Sequence, residues 1–178
     1  GYDSAGMALI NGDSIQRLRR LGKVSELQQA VQQYPIDGHI GIAHTRWATH
    51  GVPSEKNAHP HISTQRIAIV HNGIIENFQT LKDQQIEHGF TFSSDTDTEV
   101  IVHQIVHYLN QKQDLLAAVK HALADLVGAY ALAVIDKNDP SRIIAARQGS
   151  PLVLGIGQQQ HFIASDVQAL LKYTQQFI

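Results

Sequence analysis

The chain has 178 residues, of which 43% are hydrophobic and 17% are charged, and its formal net charge at pH 7 is -2. These values are typical of one globular domain with a substantial core, and they exclude a disordered chain and a strongly basic surface for nucleic acid or membranes. The sequence has no cysteine, which excludes disulfides and thiolate metal sites and favours a cytoplasmic location.

The first half of the chain predicts strands around a single helix. The helix is expected at residues 23–33, and the strands at residues 5–10, 14–20, 40–45 and 66–71. The basic run at residues 17–23 alternates with leucines, so we expect it to form the solvent-exposed face of a strand. The polar segment at residues 46–65 is long, and loops of that length in compact domains are usually functional.

The second half predicts helices followed by strands. The helices are expected at residues 76–88, from about 96 onward, and at 114–126; the strands are expected at residues 129–135, 142–146, 152–155 and 161–165. Residues 131–135 are apolar throughout, which is typical of a strand buried on both faces. No repeat or linker interrupts the chain, so residues 1–178 are expected to form one domain of sheets covered by helices.

The segment His44-Thr45-Arg46-Trp47-Ala48-Thr49-His50-Gly51 combines a guanidinium, two hydroxyls, two imidazoles and the only tryptophan. Arg and Thr resist burial unless they are paired, so this mixture has little use in a core. It suits a site that holds a small, charged substrate, because an arginine such as Arg46 can bind a carboxylate bidentately. The alternative is a polar turn after a strand.

A second candidate is the pair Asn72-Gly73, which follows an apolar strand. An asparagine side-chain amide beside a glycine N–H can direct two donors at one oxygen, which is the geometry of an oxyanion hole. Glycine also lets the main chain approach a ligand closely. The alternative is an ordinary strand-to-helix turn, because Asn-Gly is a common turn pair.

A third candidate is Asp97, in the first turn of the helix that begins near residue 96. Its carboxylate would bind a substrate ammonium group or, alternatively, would only complement the helix dipole. Asp95 is similarly placed, and the sequence does not choose between the two. Thr96 and Glu99 fit a capping box at the start of this helix.

The histidines and glycines predict neither a metal nor a cofactor. His59-Pro60-His61 has no cysteine or carboxylate cluster that would complete a ligand set. His103 and His107, spaced i,i+4, lack the Glu of a zinc-protease motif and are expected to form a helix face. Gly155-Ile156-Gly157 lacks the third glycine and the following helix of a dinucleotide-binding fingerprint.

Taken in order, five blocks of the sequence closely resemble class II glutamine amidotransferases. The blocks are residues 1–6, 44–51, 57–61, 71–77 and 95–99, and the similarity continues at 147–152 and 164–166. Within the class they are most similar to the members that use glutamine to convert fructose 6-phosphate to glucosamine 6-phosphate. Amidophosphoribosyltransferase and asparagine synthetase share the domain type but look less similar around residues 46–50.

This resemblance implies an α+β fold of the N-terminal-nucleophile hydrolase type, with four αββα layers. It also implies a mechanism in which the thiol of an N-terminal cysteine attacks the glutamine carboxamide, with the free amine of that cysteine as the base. The tetrahedral oxyanion collapses to a thioester as ammonia leaves, and water then releases glutamate.

The resemblance also implies roles for particular residues. The Asn72 side chain and the Gly73 main chain would form the oxyanion hole. Arg46 would hold the α-carboxylate of glutamine, and Asp97 would hold its α-ammonium group. Thr49 and His50 would line the pocket. Trp47 would belong to a loop that closes over glutamine and gates the passage of ammonia.

One departure determines what we expect of this chain alone. The family's nucleophile is an N-terminal cysteine, and this sequence has none. We therefore expect a partial glutaminase domain, truncated at both ends, that lacks the family's first strand and helix and its sugar-isomerase domains. Such a chain would not hydrolyse glutamine, and its unpaired sheet edge would reduce its stability and promote self-association.

The expected partners follow from the same resemblance. They are glutamine and, in a homo-oligomeric parent protein, fructose 6-phosphate, with neither nucleic acid nor a membrane among them. Two alternatives stay open. The first is an amino-acid-binding regulatory module. The second is the glutaminase domain of another class II amidotransferase.

Overall fold

The secondary structure is taken from a computed structural model, which describes residues 2–47 and 52–178. The strands are β1 (Ser4–Asn11), β2 (Ser14–Leu21), β3 (Ile40–Arg46), β4 (His61–Ser63), β5 (Ile67–Ile75), β6 (Gly128–Asp136), β7 (Asp139–Gln148), β8 (Val153–Gly157) and β9 (Gln160–Ala164). The helices are α1 (Val24–Gln33), α2 (Phe78–Glu87), α3 (Thr98–Asn110) and α4 (Leu115–Ala124), with short 3-10 turns at Glu55–Asn57 and Val167–Ala169. None of the helices in the described ranges is long and apolar enough to cross a membrane.

Two antiparallel sheets stack between helical layers. The first sheet has the strand order β2-β1-β3 and the second has the order β4-β5-β6-β7, while β8 and β9 form a separate hairpin. A small apolar core lies between the two sheets, and a larger one lies between the second sheet and helices α2, α3 and α4. Helix α1 packs on the outside of the first sheet and buries Leu27 and Ala30. This is the α+β, four-layer αββα arrangement that the resemblance implied.

Strand β6 shows why the sheets stack in this way. Leu132 and Val134 belong to the core beneath the helices, whereas Ala133 and Ile135 belong to the core between the sheets. Successive side chains of a strand point to opposite faces, so a continuously apolar strand can serve two cores at once. The prediction of a strand buried on both faces is confirmed.

Strand β5 continues through Asn72 and Gly73, so the interpretation of this pair as a strand-to-helix turn is wrong. Gly73 lies opposite Tyr130 of β6 and has a φ of +132°. A Cβ atom at this position would lie 2.0 Å from the carbonyl oxygen of Ala129. Only glycine tolerates both the backbone angle and this close approach.

The basic run predicted a solvent-exposed face on β2. The arginines of this strand are instead only partly exposed. Arg19 Nη1 donates to the carbonyl oxygens of Ala58 (2.9 Å) and Lys56 (3.1 Å), and Arg17 Nη1 donates to that of Pro60 (3.2 Å). Burial lowers the pKa of Arg19 to about 10, so it remains charged at neutral pH. These bonds fix the segment that leads into β4 against the first sheet, and this segment carries His59 into the interior.

Candidate functional site

A cavity of about 220 Å³ opens where the end of β3, residues 71–73 of β5 and the start of α3 meet. Its walls include five of the seven residues that the sequence singled out, which are Arg46, Trp47, Asn72, Gly73 and Asp97. The other two, Thr49 and His50, lie outside the described residues. Residues as far apart in the sequence as 46 and 97 thus line the same cavity.

Arg46 supplies a buried positive charge to the cavity wall. It ends β3 and is only 3% exposed, and its Nη1 lies 3.3 Å from Oδ1 of Asp3. The register of β1 and β3 produces this pair, because Ser4 lies opposite Arg46 and the Asp3 N–H donates to the Arg46 carbonyl oxygen. A buried guanidinium needs such a partner, since desolvating an unpaired charge costs several kcal/mol. The pairing holds the charge in place at the wall.

Asp97 supplies a buried negative charge to the same cavity. Its side chain is 4% exposed, and Oδ2 accepts a hydrogen bond from the Ile75 N–H at 2.8 Å. Although Asp97 occupies the N-cap position of α3, its side chain makes no capping bond to that helix. The carboxylate instead ties α3 to the end of β5, near the positive end of the helix dipole.

The structure distinguishes Asp97 from Asp95, which the sequence left as equals. Asp95 is exposed and lies outside the cavity wall. Its carboxylate lies 2.9 Å from Lys56 Nζ and accepts from Asn57 Nδ2 at 3.2 Å. These hydrogen bonds lower the pKa of Asp95. Asp95 therefore orders the surface next to the cavity, and Asp97 belongs to the cavity itself.

The pair Asn72-Gly73 presents an amide and a backbone N–H at the cavity wall. The Asn72 Oδ1 atom lies 2.7 Å from Nε2 of His44 on β3. Both residues of the pair are exposed to the cavity, while the neighbouring His71 is buried. Asn72 and Gly73 therefore lie side by side on one wall of the cavity, and their role as an oxyanion hole stays a prediction.

Trp47 stands at the cavity mouth and is 66% exposed. Its ring meets that of Tyr2 edge to face, with 6.2 Å between the centroids. It is the last described residue before the gap at 48–51. A role for Trp47 in closing over a ligand therefore stays a prediction.

Four histidines form a cluster at the cavity wall that sequence reasoning did not foresee as a unit, and three of them, His44, His59 and His71, line the cavity. The rings of His44 and His59 stack at 4.1 Å, and His61 meets His59 edge to face at 4.9 Å. Burial is the main cause that lowers the pKa of His61 to about 3 and of His71 to about 4, and it also lowers the pKa values of His44 and His59. All four rings are neutral at pH 7.

Hydrogen bonds fix the inner rings of this cluster to α3. The His71 N–H donates to Nδ1 of His59 (3.3 Å), and Nε2 of His59 lies 3.4 Å from Oγ1 of Thr98. Oγ1 of Thr98 in turn lies 2.9 Å from Nδ1 of His71. The motif His59-Pro60-His61, considered above as a metal ligand set, thus serves as internal structure. Among residues 2–47 and 52–178, no group of three or more His, Asp or Glu side chains is arranged to hold a metal ion.

The capping box of Thr96 and Glu99 does not form. Glu99 instead accepts hydrogen bonds from the N–H groups of Ser93 (2.9 Å) and Ser94 (2.7 Å). Burial opposes its ionisation, yet hydrogen bonds from His103, Ser94 and Ser93 hold the pKa of Glu99 far below its usual value. The Thr96 hydroxyl lies 3.1 Å from His61 Nε2. The polar start of α3 is therefore organised around the histidine cluster and the turn before the helix.

A second cavity, of about 280 Å³, lies on the other side of Asn72. It is bounded by β3, β5, β6 and the β8–β9 hairpin, and His44, His71 and Asn72 line both cavities. Strand β3 is at the edge of its sheet, with β1 as its only strand partner in the described parts of the chain.

Comparison with known proteins places this chain in a family. A model of the glutamine amidotransferase domain matches residues 44–172. The chain belongs to this family. It is 55% identical over 177 residues to the isomerizing glutamine–fructose-6-phosphate aminotransferase of Shewanella oneidensis and 54% identical over 179 residues to that of Pseudomonas syringae pv. tomato. These alignments cover 99% and 100% of the chain but only 29% of each relative.

Solved structures confirm the fold expectation. The glutamine phosphoribosylpyrophosphate amidotransferase of B. subtilis superimposes with a TM-score of 0.84 at 26% identity, over 100% of this chain and 39% of that chain. The allosteric regulatory enzyme of purine biosynthesis gives a TM-score of 0.85 at 27% identity, again over 100% and 39%. The α+β fold of the N-terminal-nucleophile type is therefore shared with amidotransferases.

Proposed function

We propose that the cavity between β3, β5 and α3 binds L-glutamine. The observation that supports this most is the presence of one buried cation, Arg46, and one buried anion, Asp97, in the wall of the same cavity. An amino acid carries the complementary carboxylate and ammonium groups. Asn72 and Gly73 add donors for a carboxamide oxygen, and these become most favourable when that oxygen gains negative charge. Thr49, His50 and Trp47 are proposed to complete the pocket.

The family relationship extends this proposal to the parent protein. We infer a cytoplasmic, homo-oligomeric glucosamine-6-phosphate synthase, in which this domain releases ammonia from glutamine for transfer to fructose 6-phosphate. The names and identities of the relatives support this parent over another class II amidotransferase, since the chain is 55% identical to an aminotransferase of this kind and 26% identical to the phosphoribosylpyrophosphate enzyme. The nucleophile would come from a segment that this sequence does not include.

The binding proposal is tested by isothermal titration calorimetry of this chain with L-glutamine. Asp97→Asn removes the buried anion that would hold the ammonium group, so the affinity should fall by tenfold or more, equivalent to about 1.4 kcal/mol. Asp95→Asn is the matched control, because Asp95 lies outside the cavity wall, and its affinity should equal that of the unmodified chain. Equal loss in both variants, or no loss in Asp97→Asn, would contradict the proposal.

The absence of cysteine from the sequence gives a second test. In the proposed mechanism the oxyanion donors act only after a thiolate attacks the carboxamide, so this chain should release no glutamate from glutamine. A glutaminase assay should match a heat-denatured sample. Glutamate release clearly above that background would show that another group in the chain serves as nucleophile.

A further inference from the structure

We propose that His44 is a positioning residue, whose Nε2–H holds the Asn72 amide in the one orientation that turns its NH₂ group toward the glutamine carboxamide oxygen. The proposal rests on the proposed function of the cavity, which it deepens. His44 also lines the cavity, but the role proposed for it does not require contact with the substrate. It acts through Asn72.

The identity of the donor in this pair follows from the atoms involved. The amide oxygen Oδ1 of Asn72 can only accept a hydrogen bond. Since Oδ1 lies 2.7 Å from Nε2 of His44, Nε2 must carry the hydrogen. The ring is then the Nε2–H tautomer, with an unprotonated Nδ1.

The other tautomer would lose the hydrogen bond to Asn72. Nδ1 of His44 is buried and has no hydrogen-bond partner in the described parts of the chain. If Nδ1 carried the hydrogen instead, the lone pair of Nε2 would face the lone pairs of Oδ1. The bond to Asn72 therefore selects the Nε2–H form, and burial lowers the pKa of His44 so that the ring stays neutral at pH 7.

The anchored oxygen determines where the amide nitrogen points. The two ends of an asparagine amide lie on opposite sides of the group, so tying Oδ1 to His44 directs Nδ2 away from His44. Asn72 lines the cavity beside Gly73, and no described residue accepts a hydrogen bond from its Nδ2. Without the anchor, a half-turn of the amide would present an acceptor to the substrate oxygen and turn an attractive contact into a repulsive one.

The His44 ring is itself held by a fixed neighbour. It stacks on His59 with an angle of 15° between the ring planes. His59 accepts the His71 N–H at Nδ1, so its own hydrogen is on Nε2 and is directed at Thr98 Oγ1. The start of α3 therefore orients His59, the stacking orients His44, and His44 orients Asn72.

The first experiment measures the tautomer directly by ¹⁵N nuclear magnetic resonance of the unmodified chain at pH 7. We expect a protonated Nε2 and an unprotonated Nδ1 for His44. A ring protonated at Nδ1 would overturn the proposal. This measurement requires neither a variant nor a ligand, so it can overturn the proposal even if the chain fails to bind glutamine.

The second experiment separates the hydrogen bond from the ring. His44→Phe keeps a ring that can stack on His59 but removes the donor, while His44→Gln restores an N–H donor. By calorimetry, glutamine affinity should fall about tenfold in His44→Phe, the size of one hydrogen bond, and should recover to within about threefold in His44→Gln. His39→Phe, at an exposed histidine before β3, should leave affinity unchanged. Full affinity in His44→Phe, or equal loss in His44→Phe and His44→Gln, would overturn the proposal.

Discussion

The two halves of strand β5 share one backbone ladder but are held in different ways. From Ile67 to Ile75 the strand pairs with β6 without interruption. In the first half, Ile67, Ala68 and Ile69 are fully buried in apolar cores. In the second half, polar groups bond to distant partners, namely His71 to Thr98, Asn72 to His44 and the Ile75 N–H to Asp97. The first half is stabilised by buried area, whereas the second depends on particular atoms, and the cavity is built from the second.

The largest effect is expected from Gly73→Ala, in the polar half. The new Cβ would meet the Ala129 carbonyl oxygen at 2.0 Å, in a backbone conformation that L-residues rarely adopt. Because the backbones of β5 and β6 would have to move apart, the cost should exceed about 4 kcal/mol. A loss of that size is enough to abolish the folded state of most domains.

The matched control for that substitution is Gly12→Ala. Gly12 also has a positive φ, of +53°, but nothing lies within 4 Å of the position of its Cβ. Circular dichroism should show a folded Gly12→Ala chain, destabilised by about 1 kcal/mol, and an unfolded Gly73→Ala chain. Similar melting curves for the two would show that the close approach of β5 and β6 is not a constraint.

In the apolar half, the expected effect depends on volume. Ile69→Ala should cost about 2–5 kcal/mol in the free energy of unfolding, and Ile69→Val about 0.5–1.5 kcal/mol, because the cavity left behind is smaller. Ile86, which is 52% exposed on α2, provides the control, since Ile86→Ala should change stability by about 0.5 kcal/mol or less. Urea denaturation gives all three values. Equal costs for Ile69→Ala and Ile86→Ala would contradict the assignment of the core.

The hydrogen bonds of the polar half are tested by Thr98→Val. The substitution keeps the branched shape but removes the hydroxyl that contacts both His71 and His59, leaving a buried nitrogen unpaired. The cost should be about 1–3 kcal/mol, while Thr80→Val on the exposed face of α2 should cost little. Unchanged stability in Thr98→Val would mean that the histidine cluster does not depend on α3.

The pH dependence is gradual, and it comes from His71 in the polar half and from His61 on β4, which belongs to the same histidine cluster. The folded-state pKa values of His61 and His71, about 3 and about 4, lie below the value of about 6.5 for an unfolded histidine. Protons therefore bind the unfolded chain preferentially, and stability should fall as the pH drops below about 6.5, by up to about 1.4 kcal/mol per pH unit for each ring. Asp97 partly opposes this shift for His71, and Glu99 does so for His61.

This prediction is checked by urea denaturation at several pH values between 7.5 and 4. The slope of stability against pH should decrease in His61→Gln, which removes one of the rings that titrates only in the unfolded state. A stability that is flat across this range would mean that these histidines are accessible to protons in the folded chain.

The contrast between the apolar and polar halves of β5 also explains which features of the structure could be predicted from the sequence. The apolar half of β5 and the strand at 131–135 follow from local hydrophobic pattern, because each residue needs only an apolar neighbour. The candidate roles of Asn72, Gly73 and Asp97 came from residue type, the family resemblance favoured these roles over the alternatives, and the structure brings the three residues to one cavity. The interpretations of the basic run and of the capping box were wrong, because Arg19 and Glu99 bond to groups outside their own elements. The histidine cluster was missed for the same reason, since its members come from β3, β4, β5 and the segment before β4.

The most direct test of the glutamine site is a titration of the ¹⁵N-labelled chain with L-glutamine, followed by amide chemical shifts. We expect saturable shifts at Gly73, whose N–H would meet the carboxamide, and at Ile75, whose N–H is bonded to Asp97. The amides of Ile67 and Ile69, in the apolar half of the same strand, should not move. Shifts confined to residues away from the cavity, or no shifts at all at millimolar glutamine, would contradict the account.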